Sequence, residues 1–255
     1  MRRLFIESKI MPVMFVATLG IFTILAISSS ITYRPEVDEG MFASPAMNLA
    51  TEGHLGTTIL DTSGTKLTRI EQRTYWVMPL FLLNAAAFFK VFGASLFTFR
   101  LVSTFWGLVL LISWYVVVLK LSKSKSTALL AMTLIAFSYL VIVTASMARM
   151  DIMSASLGFA GISAFLALRE RSLTLAIIVS QTLVVLSGLT HSNGILAFAG
   201  LIFLTIYFDY SSLRPKHILF AAVPYIIGGL GFGLWVLQDP TAFRDQFLDN
   251  AAEYR

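Results

Sequence analysis

The sequence predicts an all-α membrane protein that crosses a bilayer about seven times, with interfacial helices in its first outer loop. Three observations carry this. Charged residues make up 13% of the 255-residue chain and apolar residues 57%, whereas a soluble domain carries about 25% charged residues. A soluble core still needs a wet surface, so lipid must solvate much of this one; the mean hydropathy is +0.80. Uncharged runs recur at the length that spans about 30 Å of hydrocarbon. Finally, the cations between those runs fall on one side of the predicted bundle, which the positive-inside rule requires.

The first run contains no charge from Ile10 through Tyr33. A cleaved signal peptide has an apolar region of about 7–15 residues, so residues 10–31 read as a retained first span. Further spans follow at residues 101–119, 126–148, 152–168, 172–189, 194–210 and 217–238. The uncharged stretch from Ser172 to Phe208 is too long for one crossing, at 1.5 Å rise per residue. It divides at Thr190, His191, Ser192, Asn193 and Gly194. Pro224 and the glycines of the last span are compatible with a membrane helix, where small residues allow close helix approach.

Residues 32–100 form an outer loop whose first part, residues 32–74, is the one large polar excursion; residues 75–93 are apolar but short of a comfortable span. Charge decides their reading. If they do not cross, Lys120, Lys123, Lys125, Arg169, Arg171, Arg214 and Lys216 all join Arg2, Arg3 and Lys9 in the cytoplasm. If they cross, every one of those later loops flips. Residues 75–93 are therefore expected to lie along the outer interface as a juxtamembrane helix. Asp239 and Pro240 give a helix start of cap followed by proline. Phe243, Phe247, Ala251 and Tyr254 at helical spacing make residues 239–255 an outer amphipathic segment.

The chain has no cysteine, which excludes disulfides and thiolate metal sites. Its formal charge of +5 reads as membrane topology, not nucleic-acid binding. No zinc-protease, phosphate-loop or nucleophile-elbow pattern occurs.

The predicted topology gathers four polar features on the outer face: Asp38 and Glu39; Arg149 and Asp151; His191, Ser192 and Asn193; and the loop 61–73 with Lys66, Arg69 and Arg73. Carboxylates and cations at a membrane–water boundary suit chemistry on a lipid-linked phosphate. A carboxylate takes a proton from an acceptor hydroxyl, and Arg, Lys or His offsets charge on a phosphate leaving group. Each feature also has a plain structural reading. Asp38 caps a following helix, Arg149 and Asp151 form a surface pair of small energetic consequence, and His191 is a polar loop residue. Glu39, His54, Asp61 and Glu71 read equally as solvent-facing charges.

Five stretches carry a family resemblance: VDEGMFASPAMNLATEG at residues 37–53, WVMPLFLLNAAAFFKVFG at 76–93, FRLVS at 99–103, ARMD at 148–151 and GLTHSNG at 188–194. In this order and at these intervals they resemble the type C (GT-C fold) glycosyltransferases, in particular bacterial members of the protein O-mannosyltransferase and lipid A aminoarabinose transferase group. The resemblance implies transfer of a sugar from a polyprenyl-phosphate donor to a lipid, glycan or protein acceptor on the non-cytoplasmic face. It implies Asp38 as catalytic carboxylate, Glu39 as its motif neighbour and Asp151 as a second acidic cavity residue. Arg149 and His191 match donor-phosphate or cavity positions. Where aminoarabinose transferases carry Lys-Pro-Pro, this chain has Val77, Met78 and Pro79; Arg69 and Arg73 are the cations that stand in for the missing lysine.

The expectation is therefore an inverting, multi-pass enzyme of a bacterial plasma membrane. Its N-terminus is cytoplasmic and its active site is on the outer face. No cofactor is certain, although Asp38 and Asp151 would suit a hard divalent cation. Relatives of this kind are about twice as long, so the chain reads as the N-terminal part of a longer enzyme. Two other classes stand beside this one: a transporter or flippase fragment, and a non-catalytic membrane scaffold. Transporters keep ionisable groups near the bilayer midplane. Here the polar groups sit at span ends, which favours an interfacial enzyme.

Overall fold

The computed structural model describes residues 2–60 and 65–249, with side chains from Ile10 onward. Asp61, Ala251 and Tyr254, and the side chains of Arg2, Arg3 and Lys9, lie outside the described residues. The chain is helical, without a strand among the described residues. Six helices among the described residues are long and apolar enough to cross a membrane, and a bent pair gives a seventh crossing if it forms one span. The first is α1 (Arg2–Thr32). The outer excursion holds α2 (Val37–Thr51) and α3 (Pro79–Phe92), after which α4 (Leu96–Ser122) leads into the bent pair α5 (Lys125–Ala136) and α6 (Tyr139–Ser146). The remaining long helices are α7 (Met150–Leu168), α8 (Leu173–Thr190), α9 (Gly194–Asp209) and α10 (Pro215–Val236). A single turn α11 (Pro240–Phe243) runs into a π-helical turn at Arg244–Asp249.

Tertiary contacts fix the alternation of the long helices. α4 begins beside the end of α1, where Arg100 meets Ser30 and Tyr33. The α5–α6 pair returns along α4 to that same end, where the Thr104 hydroxyl donates to the Ala145 carbonyl. From there α7 leaves the Arg149 end and finishes at Arg169, which meets Asp209 at the end of α9. α10 comes back until the Trp235 carbonyl accepts from the Tyr75 hydroxyl. One end of the bundle therefore holds Asp38, Arg149, Asp151 and His191. The other holds Lys120, Lys123, Lys125, Arg169, Arg171, Arg214 and Lys216.

The span expected at 126–148 is a pair of helices bent by 62°. Phe137 closes the first and Ser138 caps the second, accepting a hydrogen bond from the Val141 N–H. A serine able to cap the following turn competes with a continuous ladder, and an uncharged run carries no trace of that competition. The 14 residues of α3 reach about 21 Å at helical rise, too short to cross. Asp38 is not a cap: Glu36 occupies that position and Asp38 lies one residue into α2. Pro45 sits inside α2, where it removes one backbone bond without ending the helix.

Packing relies on apolar contact and on small residues. One buried cluster joins α2, α3, α4 and α7 through Phe42, Phe81, Phe99 and Met153. A second joins α1 to α4, α5 and α6 through Phe22, Leu111 and Met132. A third ties α7, α8 and α9 through Phe165, Val184 and Leu201. Gly158 lets α7 meet α9; a Cβ there would lie 2.7 Å from that of Ala197. By contrast only 6% of the apolar window of α10 is buried, so most of its surface is left unpacked by the rest of the described chain.

Candidate functional site

The site is built where α1 ends, α2 begins and α6 gives way to α7. Its foundation is a buried ion pair. Arg100, near the start of α4, and Glu39, in the first turn of α2, are each 1% exposed. Arg100 Nε and Nη2 donate to the two Glu39 oxygens at 2.7 and 2.6 Å. Its remaining donors reach the carbonyls of Ser30, Tyr33 and Arg34. Glu39 also accepts from the backbone N–H of Ala148 at 3.0 Å and of Glu36 at 3.0 Å. Burial alone would raise the Glu39 pKa. The Arg100 hydrogen bonds and the two N–H donors outweigh it and hold the carboxyl below its ordinary value.

This pair sets the positions of the residues beside it. Asp38 adjoins Glu39, and Arg149 follows Ala148. The guanidinium of Arg149 lies between two half-exposed carboxylates: Nη1 donates to Asp38 at 3.1 Å and Nε to Asp151 at 3.1 Å. Glu36 adds a third acid at 3.8 Å. The hydrogen bond to Asp151, opposed by partial burial, raises the Arg149 pKa further, so the guanidinium stays charged at any working pH. Ser103 fixes the Arg149 backbone by accepting its N–H at 3.2 Å. His191 closes α8; its Nδ1 accepts the Asn193 N–H at 3.1 Å. The neutral ring therefore carries its proton on Nε2, 4.0 Å from Asp151.

Arg149, Asp151 and His191 line a cavity of about 290 Å³ with Ser192, Phe42, Trp76, Val77, Met78, Met150 and Phe247. Phe42 and Trp76 stack at 5.5 Å across one wall. Asp38 joins the cavity through Arg149 and does not line it. The two acids can be no farther apart than one guanidinium and two hydrogen bonds. Their shared cation occupies the space between them, and among the described residues no group of three His, Asp or Glu side chains is placed to hold a metal ion.

No family model matches the chain, and no characterised protein or solved structure matches it. The geometry of the site therefore carries the functional argument.

Of the residues expected at this site, Asp38, Arg149, Asp151 and His191 come together and three do not. Glu39 points inward to Arg100. Arg69, with φ +56°, donates to both oxygens of Asp239 at 3.0 and 2.9 Å. Arg73 binds Gln238. Both arginines fasten the outer loop to the end of α10, and neither lines the cavity. Two groups carry no role in the sequence reading. Arg100 lies in the FRLVS stretch and immediately precedes an uncharged run, the one signal that a buried partner awaited it. Phe247 enters the cavity wall from the segment after α10, a contact that helical spacing alone does not specify.

Proposed function

We propose that the protein is an inverting glycosyltransferase that takes a sugar from a polyprenyl-phosphate donor at the non-cytoplasmic membrane face. The observation that carries the reading is Arg149, held between Asp38 and Asp151 at a cavity on the end of the bundle opposite Lys120, Lys123 and Lys125. A guanidinium already fixed by two carboxylates is preorganised for a phosphate. The donor lipid stays in the bilayer while its phosphate reaches this boundary. The acceptor hydroxyl oxygen bonds to the anomeric carbon as the carbon–oxygen bond to phosphate breaks. Asp38 takes the hydroxyl proton, the departing electron pair goes to the phosphate oxygen, and Arg149 and the Nε2–H of His191 offset that charge. Asp151 lies beside both donors, and Glu39, through Arg100 and the Ala148 N–H, holds Asp38 and Arg149 in register. The basic ends of the other loops support a cytoplasmic N-terminus.

Transfer of labelled sugar from polyprenyl-phosphate donors by the purified chain in lipid vesicles tests the proposal. Asp38→Asn should lower the rate by about 100-fold or more, the usual contribution of a positioned base. Full transfer by that variant would refute the assignment of Asp38.

A further inference from the structure

A second cavity lies at the opposite end of the bundle. It is a groove of about 700 Å³ floored by Ile177 and Gln181 of α8 and walled by α9 and α10. Its lining is apolar over most of its length, with Phe198, Ile202 and Ile206 on one side and Ile218, Ala221 and Ala222 on the other. The surrounding surface is apolar and exposed: Phe203 and Tyr207 of α9 are 64% and 71% exposed, and Ile218 and Leu219 of α10 are 74% and 70% exposed. The rim differs from the walls. Arg214 and the buried His217 line the groove where the α9–α10 link turns, and the exposed Lys216 lies between them in sequence. His217 Nδ1 accepts the Arg214 N–H at 3.1 Å, which leaves its proton on Nε2.

The acid nearest in sequence does not neutralise this rim. Asp209 is taken by Arg169, which donates to both its oxygens at 2.8 and 3.1 Å. Among the described residues neither Arg214 nor Lys216 has a carboxylate within 4.0 Å. A hydrocarbon-lined groove that ends in uncompensated cations at the headgroup level matches one kind of ligand in a membrane. We propose that this groove binds an anionic phospholipid, with an acyl chain between α9 and α10 and its phosphate against Arg214. The site lies on the face opposite the Asp38–Arg149–Asp151 cluster and is independent of the reaction assigned there.

The cysteine-free sequence makes the test direct. A fluorophore is attached to the full chain at Ile202→Cys, in the groove, or at Ile24→Cys, on the lipid-facing side of α1 (68% exposed). Quenching by brominated phosphatidylglycerol is then compared with quenching by brominated phosphatidylcholine in mixed vesicles. The groove position should prefer the anionic lipid about fivefold, the effect of one cation near the surface, and the α1 position should show no such preference. Arg214→Gln should reduce the preference below about twofold. On the unaltered groove chain, raising salt to about 1 M should do the same. Equal quenching by both lipids at Ile202→Cys, the same preference at Ile24→Cys, or a groove shielded from both lipids by another polypeptide would overturn the proposal.

Discussion

A single guanidinium organises the candidate site. Arg149 lies between Asp38 and Asp151, but its position is set one layer deeper, where Glu39 grips Arg100 and the Ala148 N–H. A charge pair removed from water is costly to break, because the survivor stays buried and unpaired. Glu39→Gln or Arg100→Met alone should therefore lower stability by about 3–5 kcal/mol, read as a fall in Tm in detergent. Replacing both with apolar residues should recover much of the loss; no recovery would show that the pair does more than satisfy itself. The pH dependence has a definite sign. Glu39 titrates below its ordinary value of 4.5, so its stabilisation is complete above that value and is lost as pH falls through the lower folded one. Asp239, held down by the Ala242 N–H and by Arg69, shifts the same way. Thermal melts should thus change little between pH 7 and 5 on account of these groups and fall steeply below about 4.

Among the elements, the segment after α10 has the most consequence for the site. Asp239 caps α11 as its Asp-Pro signature predicts, and the chain then folds across the outer loop. Gln246, 1% exposed, accepts the Tyr75 N–H at 2.7 Å and donates to the carbonyls of Thr68 and Arg73 at 2.7 and 3.0 Å. Asp245 accepts from the Thr68 hydroxyl at 2.7 Å. These bonds hold Phe247 in the cavity wall. Gln246→Leu leaves the buried Tyr75 N–H without a partner, at a cost of about 1–3 kcal/mol, and releases the less buried carbonyls of Thr68 and Arg73. Hydrogen exchange should then accelerate at residues 65–75 and 240–249 while α4, α7 and α8 keep their protection. Unchanged exchange in the loop would mean that other contacts hold the segment. The bend between α5 and α6 is the element least visible beforehand, since Ser138 looks like any small residue of an apolar run until its hydroxyl caps the next helix.

For the whole molecule, the sequence specified the order of crossings better than their shapes. Charge-free length and the sidedness of lysine and arginine are summed properties, so they survive ignorance of packing. They were enough to make residues 75–93 non-crossing and to bring Asp38, Arg149, Asp151 and His191 to one end. Which of two adjacent acids turns inward was not legible, because Asp38 and Glu39 differ only by the helical phase that packing against α4 fixes. Arg69 and Arg73 misled for a related reason: their partners, Asp239 and Gln238, lie about 170 residues away in sequence. Orientation is testable in intact cells. A cysteine replacing Lys123 should resist an impermeant thiol reagent, and one replacing the exposed Glu52 should react; the reverse pattern would invert the protein in the membrane.

Because neither sugar nor acceptor needs to be known for it, phosphate recognition by Arg149 is the most direct measurement. Binding of a polyprenyl phosphate and of the matching polyprenol to the purified chain would be compared, for the natural sequence and for Arg149→Gln. The phosphate should bind at least tenfold more tightly than the alcohol, as charge-assisted bonds of about 1.5–3 kcal/mol imply, and Arg149→Gln should abolish the difference. Equal affinity for phosphate and alcohol in the natural chain, or a preference that survives Arg149→Gln, would contradict the account.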